Sequence, residues 1–284
     1  MTTDPLATVG AVRILVTNDD GIDSVGLHEL ARALVDLGDV TVAAPDSEYS
    51  GAGASLGPMH LRRPEVHDAH VDGVEQAWSV SGPPGLCVIY GRLGLFGDPF
   101  DLVVAGINPG MNVGRSVYHS GTVGAALTAR NGGVTGIAVS QAVTGWGVEG
   151  QGADEVLVDQ HWSTAATVGR AVAAAGGADM PETAAVVNVN VPNVPLGEVA
   201  GWRHTVTGSA QPRSLTTAEL VPKEGHVGSY EVRVHWGEPG DLPGDSDGGA
   251  VMAGHVSLTW LNRLHDAAPP ADAPAAAGLA DLLG

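Results

Sequence analysis

The sequence predicts an α/β protein built on a doubly wound, mostly parallel sheet, with a β-rich extension at its C-terminal end. Three observations carry this. Short apolar runs without in-and-out alternation recur through the first two thirds of the chain, as strands buried on both faces require. Segments with apolar residues at helical spacing lie between them. Aromatic residues make up only 4% while glycines number 41, so packing rests on Ala, Val and Leu with many tight turns.

Taken in order, residues 12–16 form the first apolar run, and Leu27, Leu30, Ala31 and Leu34 follow at the spacing of one helix face. The chain therefore opens as strand, loop, helix. Residues 40–44, 102–105, 137–139 and 186–191 repeat the strand signal. Helices are predicted at 86–95 behind Pro83 and Pro84, at 123–130, and at 162–175. Strand and helix alternate, the pattern of a Rossmann-like sheet with helices on both faces. Residues 141–160 are rich in Gly and read as a loop. From Asn193 onward the Ala-rich helices give way to His, Arg, Pro and β-branched residues, with strands expected at 232–236 and 256–261. The domain plan is a catalytic core at 1–192, a β-rich extension at 193–268, and an Ala/Pro linker with a short terminal helix at 269–284.

Charge narrows the function. The chain of 284 residues carries 13 basic and 32 acidic side chains, so 13 − 32 = −19, which repels polyanions and anionic membrane surfaces. Neither a nucleic acid nor a membrane is an expected partner. Cys87 is the one cysteine, so no intrachain disulfide forms, and neither a leader-like nor a membrane-spanning segment is evident. A cytoplasmic protein is the expectation.

In open α/β sheets ligands bind outside the carboxyl ends of the strands. Four segments there are strongly polar: Thr17-Asn18-Asp19-Asp20-Gly21, Pro45-Asp46-Ser47-Glu48-Tyr49-Ser50-Gly51, Gly106-Ile107-Asn108-Pro109-Gly110-Met111-Asn112 and His119-Ser120-Gly121-Thr122. Asp19 and Asp20 repel one another unless a cation sits beside them, and oxygen ligands without Cys or His favour Mg²⁺ or Mn²⁺. Ser50 and Asn108 offer neutral oxygens to the same ion. The competing reading is that the doublet caps the following helix. Ser120, Gly121 and Thr122 open a helix, where N–H groups and the positive dipole end cradle a phosphate; an ordinary helix cap is the alternative. Metal plus phosphate together mean phosphoryl transfer or hydrolysis.

These segments, with Ile14-Leu15-Val16 ahead of the doublet and Ala44-Pro45-Asp46 after the second strand, resemble the SurE survival-protein family in order and spacing. Weaker matches continue at Val187-Asn188-Val189-Asn190-Val191-Pro192, Gly201-Trp202-Arg203 and Gly254-His255-Val256-Ser257-Leu258-Thr259. The resemblance implies a metal-dependent nucleotidase acting on nucleoside 5′- and 3′-monophosphates. It makes Asp19, Asp20, Ser50 and Asn108 the metal ligands, and Ser120, Gly121 and Thr122 the lining of the phosphate pocket, with Asn108 also near substrate. Catalysis would rest on Asp19, Asp20, Ser120 and Thr122. It further implies that the extension exchanges between subunits of a homodimer or homotetramer. Three departures stand out: Tyr49 where the family usually has arginine, Gly82-Pro83-Pro84-Gly85-Leu86-Cys87 without the family's threonine and aspartate, and Ala253-Gly254-His255 in place of Glu-Gly-Tyr. They bear on substrate preference and subunit contacts.

Two readings stay open at the same site, attack by an aspartate to give an aspartyl-phosphate and a nucleotide-binding regulator without turnover. Other signals point elsewhere than chemistry. Gly51-Ala52-Gly53-Ala54-Ser55-Leu56-Gly57 has its third glycine one position late for a dinucleotide fingerprint. His67 and His70 lie in a polar stretch without a matching ligand, and Cys87 reads as core.

Overall fold

The computed structural model describes residues 12–57, 63–143, 157–178, 183–210, 214–238 and 240–262. The predicted linker and terminal helix at 269–284, and most of the loop at 141–160, lie outside them. The chain runs β1 Val12–Thr17, α1 Val25–Leu34, β2 Gly38–Pro45, β3 Val66–Ala69, β4 Gln76–Val80, α2 Pro84–Arg92, β5 Leu102–Pro109, α3 Gly121–Asn131, β6 Thr135–Gln141, α4 Trp162–Ala178, β7 Val186–Val191, β8 Gly201–His204, β9 Leu215–Pro222, β10 Tyr230–Trp236, α5 Asp247–Met252 and β11 His255–Leu261.

A nine-stranded sheet has the order β3-β4-β2-β1-β5-β6-β7-β11-β8. From β4 to β7 every pairing is parallel, while β3 and β11 join antiparallel to β4 and β7. The doubly wound sheet is thus present. Its strands are apolar on both sides because both sides are covered. Ile14 and Val16 of β1 pack with α1 and α4, whereas Leu15 between them packs with the layer of α2 and α3. In α1, Leu27, Leu30 and Leu34 are fully buried, each stabilising the fold by roughly 1.5–3 kcal/mol. Ser24 caps that helix, its hydroxyl accepting the Leu27 N–H at 3.4 Å.

The region after Pro192 divides between two sheets. Strands β8 and β11 extend the central sheet, while β9 and β10 form a separate antiparallel hairpin. Five pieces went unread in the sequence: β3, β4, β8, β9 and α5. Strands β3 and β4 carry polar residues among few apolar ones, and α5 is short and contains Gly248 and Gly249. His67 lies on β3, at the sheet edge, and its ring remains well exposed.

Candidate functional site

The strand order reverses direction between β1 and β5, since β1 is followed outward by β2 on one side and β5 on the other. That reversal opens a crevice at the carboxyl ends of these two strands. Asp19 and Asp20 follow β1 directly, and Asn108 stands near the end of β5, where the register with β6 shifts between Gly106 and Asn108. The parallel register sets Thr17 beside Ala105, so both segments leave the sheet side by side.

Local bonds fix the loop after β1. The Asn18 amide nitrogen donates to Gly21 O at 3.0 Å and to Ser24 Oγ at 2.6 Å, locking the loop onto the cap of α1. Asn18 is itself fully buried, and its Oδ1 accepts no hydrogen bond among the described residues. Gly21 adopts φ +100°, a left-handed conformation that lets the chain turn back against Pro45 and Ser47.

Asp19 is completely buried. Its Oδ2 accepts the Gly121 N–H at 3.1 Å and its Oδ1 accepts the Thr122 hydroxyl. A β-carbon on Gly121 would stand 2.7 Å from both Cβ and Oδ2 of Asp19, so only glycine lets the carboxylate rest on this helix end. Tyr49 N–H donates to the Asp19 carbonyl at 2.7 Å, which places the Ser50 segment against the doublet. Gly53 N–H donates to His119 O at 2.8 Å and ties that segment to the turn ahead of α3. Asp20 and Ser50 are half-buried at the mouth of the cluster, while Asn108 is buried and spends its amide nitrogen on Gly110 O at 2.7 Å. That bond leaves the amide oxygen as its acceptor face.

The α3 terminus divides its hydrogen bonds between a cap and Asp19. Ser120 is the N-cap, its hydroxyl accepting the Val123 N–H at 3.1 Å, and Gly124 N–H goes to Ser120 O at 2.9 Å. Thr122 directs its hydroxyl at Asp19, not at open space. Of the first-turn donors, only the Thr122 N–H lies outside these bonds, and Ser120 keeps its own hydroxyl hydrogen to donate. The helix end therefore both holds Asp19 and offers donors to an anion.

Sequence reasoning overlooked Asn18 as the loop lock and Asp247, at the start of α5, as a partner of Gly114. Ser246 ahead of a run of small residues was the signal for the latter, a cap followed by a short helix. The next element among the described residues after the glycine segment at 51–57 is β3, an edge strand and not a helix, which does not match a dinucleotide turn. Two cavities, of about 310 and 400 Å³, lie away from this crevice, one between the starts of β1 and β2 and the other beside α2 and α3.

A sequence model described as Survival protein SurE matches residues 14–214. The 5'/3'-nucleotidase SurE of Salmonella typhimurium is 36% identical over 255 residues, spanning 88% of this chain and 90% of its own length. The protein of that name from Salmonella typhi is similar to the same extent, 36% over 255 residues. Among solved structures, the crystal structure of the SurE protein from Aquifex aeolicus superposes with a TM-score of 0.72 at 27% identity, covering 96% of this chain and 100% of that one.

Proposed function

The chain belongs to the SurE family, and from that premise we propose that it hydrolyses nucleoside 5′- and 3′-monophosphates to nucleoside and phosphate with one divalent ion per subunit, Mg²⁺ or Mn²⁺. The observation that carries this reading is the joint between Asp19 and the start of α3, where a buried carboxylate and the N-terminus of a helix are built into one unit. The relatives' names as nucleotidases disfavour a binding protein without turnover.

The residues fit a hard cation. Asp19, Asp20, Ser50 and Asn108 form an all-oxygen donor set, and the buried Asn18 Oδ1 beside them is an acceptor awaiting a donor or a cation's water. When bound, such an ion neutralises charge on the phosphate and lowers the pKa of a water. The chain's own groups do the rest. Thr122 and Gly121 hold both Asp19 oxygens, which suits a fixed ligand better than a nucleophile and disfavours an aspartyl-phosphate at that residue. Asp20, less enclosed, orients the attacking water and takes up its proton. The Thr122 N–H and the Ser120 hydroxyl donate to the phosphate oxygens, and the α3 dipole supports them as charge builds. Thr122 Oγ1 acts through Asp19 and is a positioning group.

Tyr49 is half-buried beside the doublet and offers a ring face to base or ribose. Modest base preference follows. Assembly is part of the same reading. The β9–β10 hairpin leaves Leu215, Leu220, Tyr230, Val232 and Val234 exposed, and a lone two-stranded ribbon is marginal in water, which supports its exchange into a second copy as a homodimer or homotetramer. No helix of the described residues is long and apolar enough to cross a membrane; a reducing, cytoplasmic setting accords with Cys87 as a buried free thiol.

The test is phosphate release across AMP, GMP, UMP, their 3′ isomers, ATP and an aryl phosphate. Monophosphates should lead, and the net charge of −19 should slow ATP, since each added negative group brings repulsion that one ion does not cancel. ATP turned over faster than every monophosphate would show the substrate assignment to be wrong.

A further inference from the structure

Asp247 opens α5, and it is 1% exposed. Its Oδ2 accepts the Gly114 N–H at 2.9 Å, and its Oδ1 accepts the N–H groups of Gly208 at 3.0 Å and Gly248 at 2.8 Å. No ion pair reaches it among the described residues, so the carboxylate is held by backbone N–H groups alone. Burial pushes its pKa above the ordinary value, and the bonds from Gly114, Gly208 and Gly248 oppose that rise. A buried acid without a counter-charge costs stability wherever an apolar residue would serve, so its retention calls for a positional reason.

The three partners supply one. Gly114 opens the 3-10 turn Gly114–Tyr118, which delivers the chain to Ser120. That turn is stiff. Val113 N–H donates to Ser116 Oγ at 3.0 Å, Ser116 Oγ donates back to Val113 O at 2.7 Å, and Ser120 N–H donates to Ser116 O at 3.1 Å. A shift at Gly114 is therefore passed to the cap of α3 and to the Gly121–Asp19 contact. Gly208 belongs to the segment between β8 and the β9–β10 hairpin, at the root of the arm. The same root touches the turn a second time, because Gly114 lies at φ +55° and a β-carbon there would stand 2.3 Å from Ala210 O. Asp247 N–H also donates to Val206 O at 2.9 Å.

We propose that Asp247 is a positioning residue that clamps the root of the β9–β10 arm to the turn delivering Ser120, Gly121 and Thr122, so that the arm's placement and the geometry of the phosphate pocket are set together. The kinetic part of this rests on the phosphomonoesterase reading; the structural part does not. Asp247→Asn keeps size but leaves one acceptor oxygen where the carboxylate uses two, so an NH₂ group faces a backbone N–H. Gly208→Pro keeps the Asp247 and Gly114 residues, deletes the arm's donor and sets the proline ring against the Asp247 carboxylate, so it opens the same clamp from the arm's side.

Hydrogen exchange on the full chain should show amides of 114–122 exchanging about tenfold faster in both variants, with β1 and β2 unchanged. Turnover of AMP should fall about tenfold while KM stays within about twofold, a split that general loss of stability would not give. Unaltered exchange at 114–122 in either folded variant overturns the proposal. If Asp247→Asn does not fold, Gly208→Pro decides. If the parent chain releases no phosphate, the phosphomonoesterase reading fails and the exchange result alone decides the clamp.

Discussion

Gly121→Ala adds one methyl group at the point where the buried carboxylate meets the helix end. The new Cβ would sit 2.7 Å from Asp19 Cβ and Oδ2 and 3.0 Å from Cγ, distances that side chains do not tolerate, so Asp19 or α3 has to move by most of an ångström. Asp19 has little freedom to yield, because Thr122 holds Oδ1 and Tyr49 N–H holds the carbonyl. Overpacking of this kind costs about 1–3 kcal/mol, and stretching the charged bond from Gly121 N–H adds to it, for a total near 2–3 kcal/mol. In a domain of this size that lowers Tm by roughly 4–10 °C. Misplacing a catalytic group by about 1 Å costs on the order of a hundredfold in turnover. Calorimetry and phosphate release on the same preparation read both effects. Gly121 is helical without positive φ, so alanine brings no backbone strain to confuse the result. Wild-type Tm and turnover in Gly121→Ala would refute the contact and with it the claim that carboxylate and helix end form one unit.

Thr122→Val keeps the side-chain shape and removes the hydroxyl from Asp19, and it should lower turnover roughly tenfold with little change in nucleotide KM; turnover equal to the parent would mean that Gly121 alone positions Asp19. Asp20→Asn should reduce activity by about a hundredfold or more while the thermal transition holds, since the residue is half-buried and the change removes one of two like charges; a matching loss of Tm would show a structural role instead. Burial pushes the Cys87 thiol up to about 12, so at pH 8 iodoacetamide should alkylate the folded chain at least about a hundredfold more slowly than the unfolded one, as mass spectrometry would show. Deleting the β9–β10 hairpin should leave a monomer in light scattering; an unchanged assembly would place the subunit contact elsewhere.

Much of the fold was legible because its core strands are sealed on both faces. A strand such as β5, buried from Leu102 through Asn108, has no choice but a near-continuous apolar run, and that run is visible in the sequence. Edge elements escape for the opposite reason. In β3 only the end residues Val66 and Ala69 are half-buried, with His67 and Asp68 both exposed between them, and β8 is exposed throughout, so backbone pairing rather than side-chain pattern makes them strands. The candidate site was legible as polar segments at three strand ends and one helix start, but the division of hydrogen bonds at α3 was not. Whether a threonine hydroxyl meets a phosphate or an aspartate more than a hundred residues away depends on how close Gly121 lets β1 approach, and no local pattern encodes that distance. Asp247 escaped for the same reason, its partners Gly114 and Gly208 being brought to it by the fold alone.

Under the proposed function a divalent ion is held by Asp19 and Asp20 at the head of α3. Phosphate release from AMP, followed with added Mn²⁺ or Mg²⁺, after exhaustive chelation, and after restoring the ion, tests this most directly, with Asp20→Asn alongside. Turnover should vanish on chelation, return with the ion, and stay at least about a hundredfold lower in Asp20→Asn at any ion concentration. Turnover that persists after chelation, or an Asp20→Asn enzyme as fast as the parent, would contradict the proposed function.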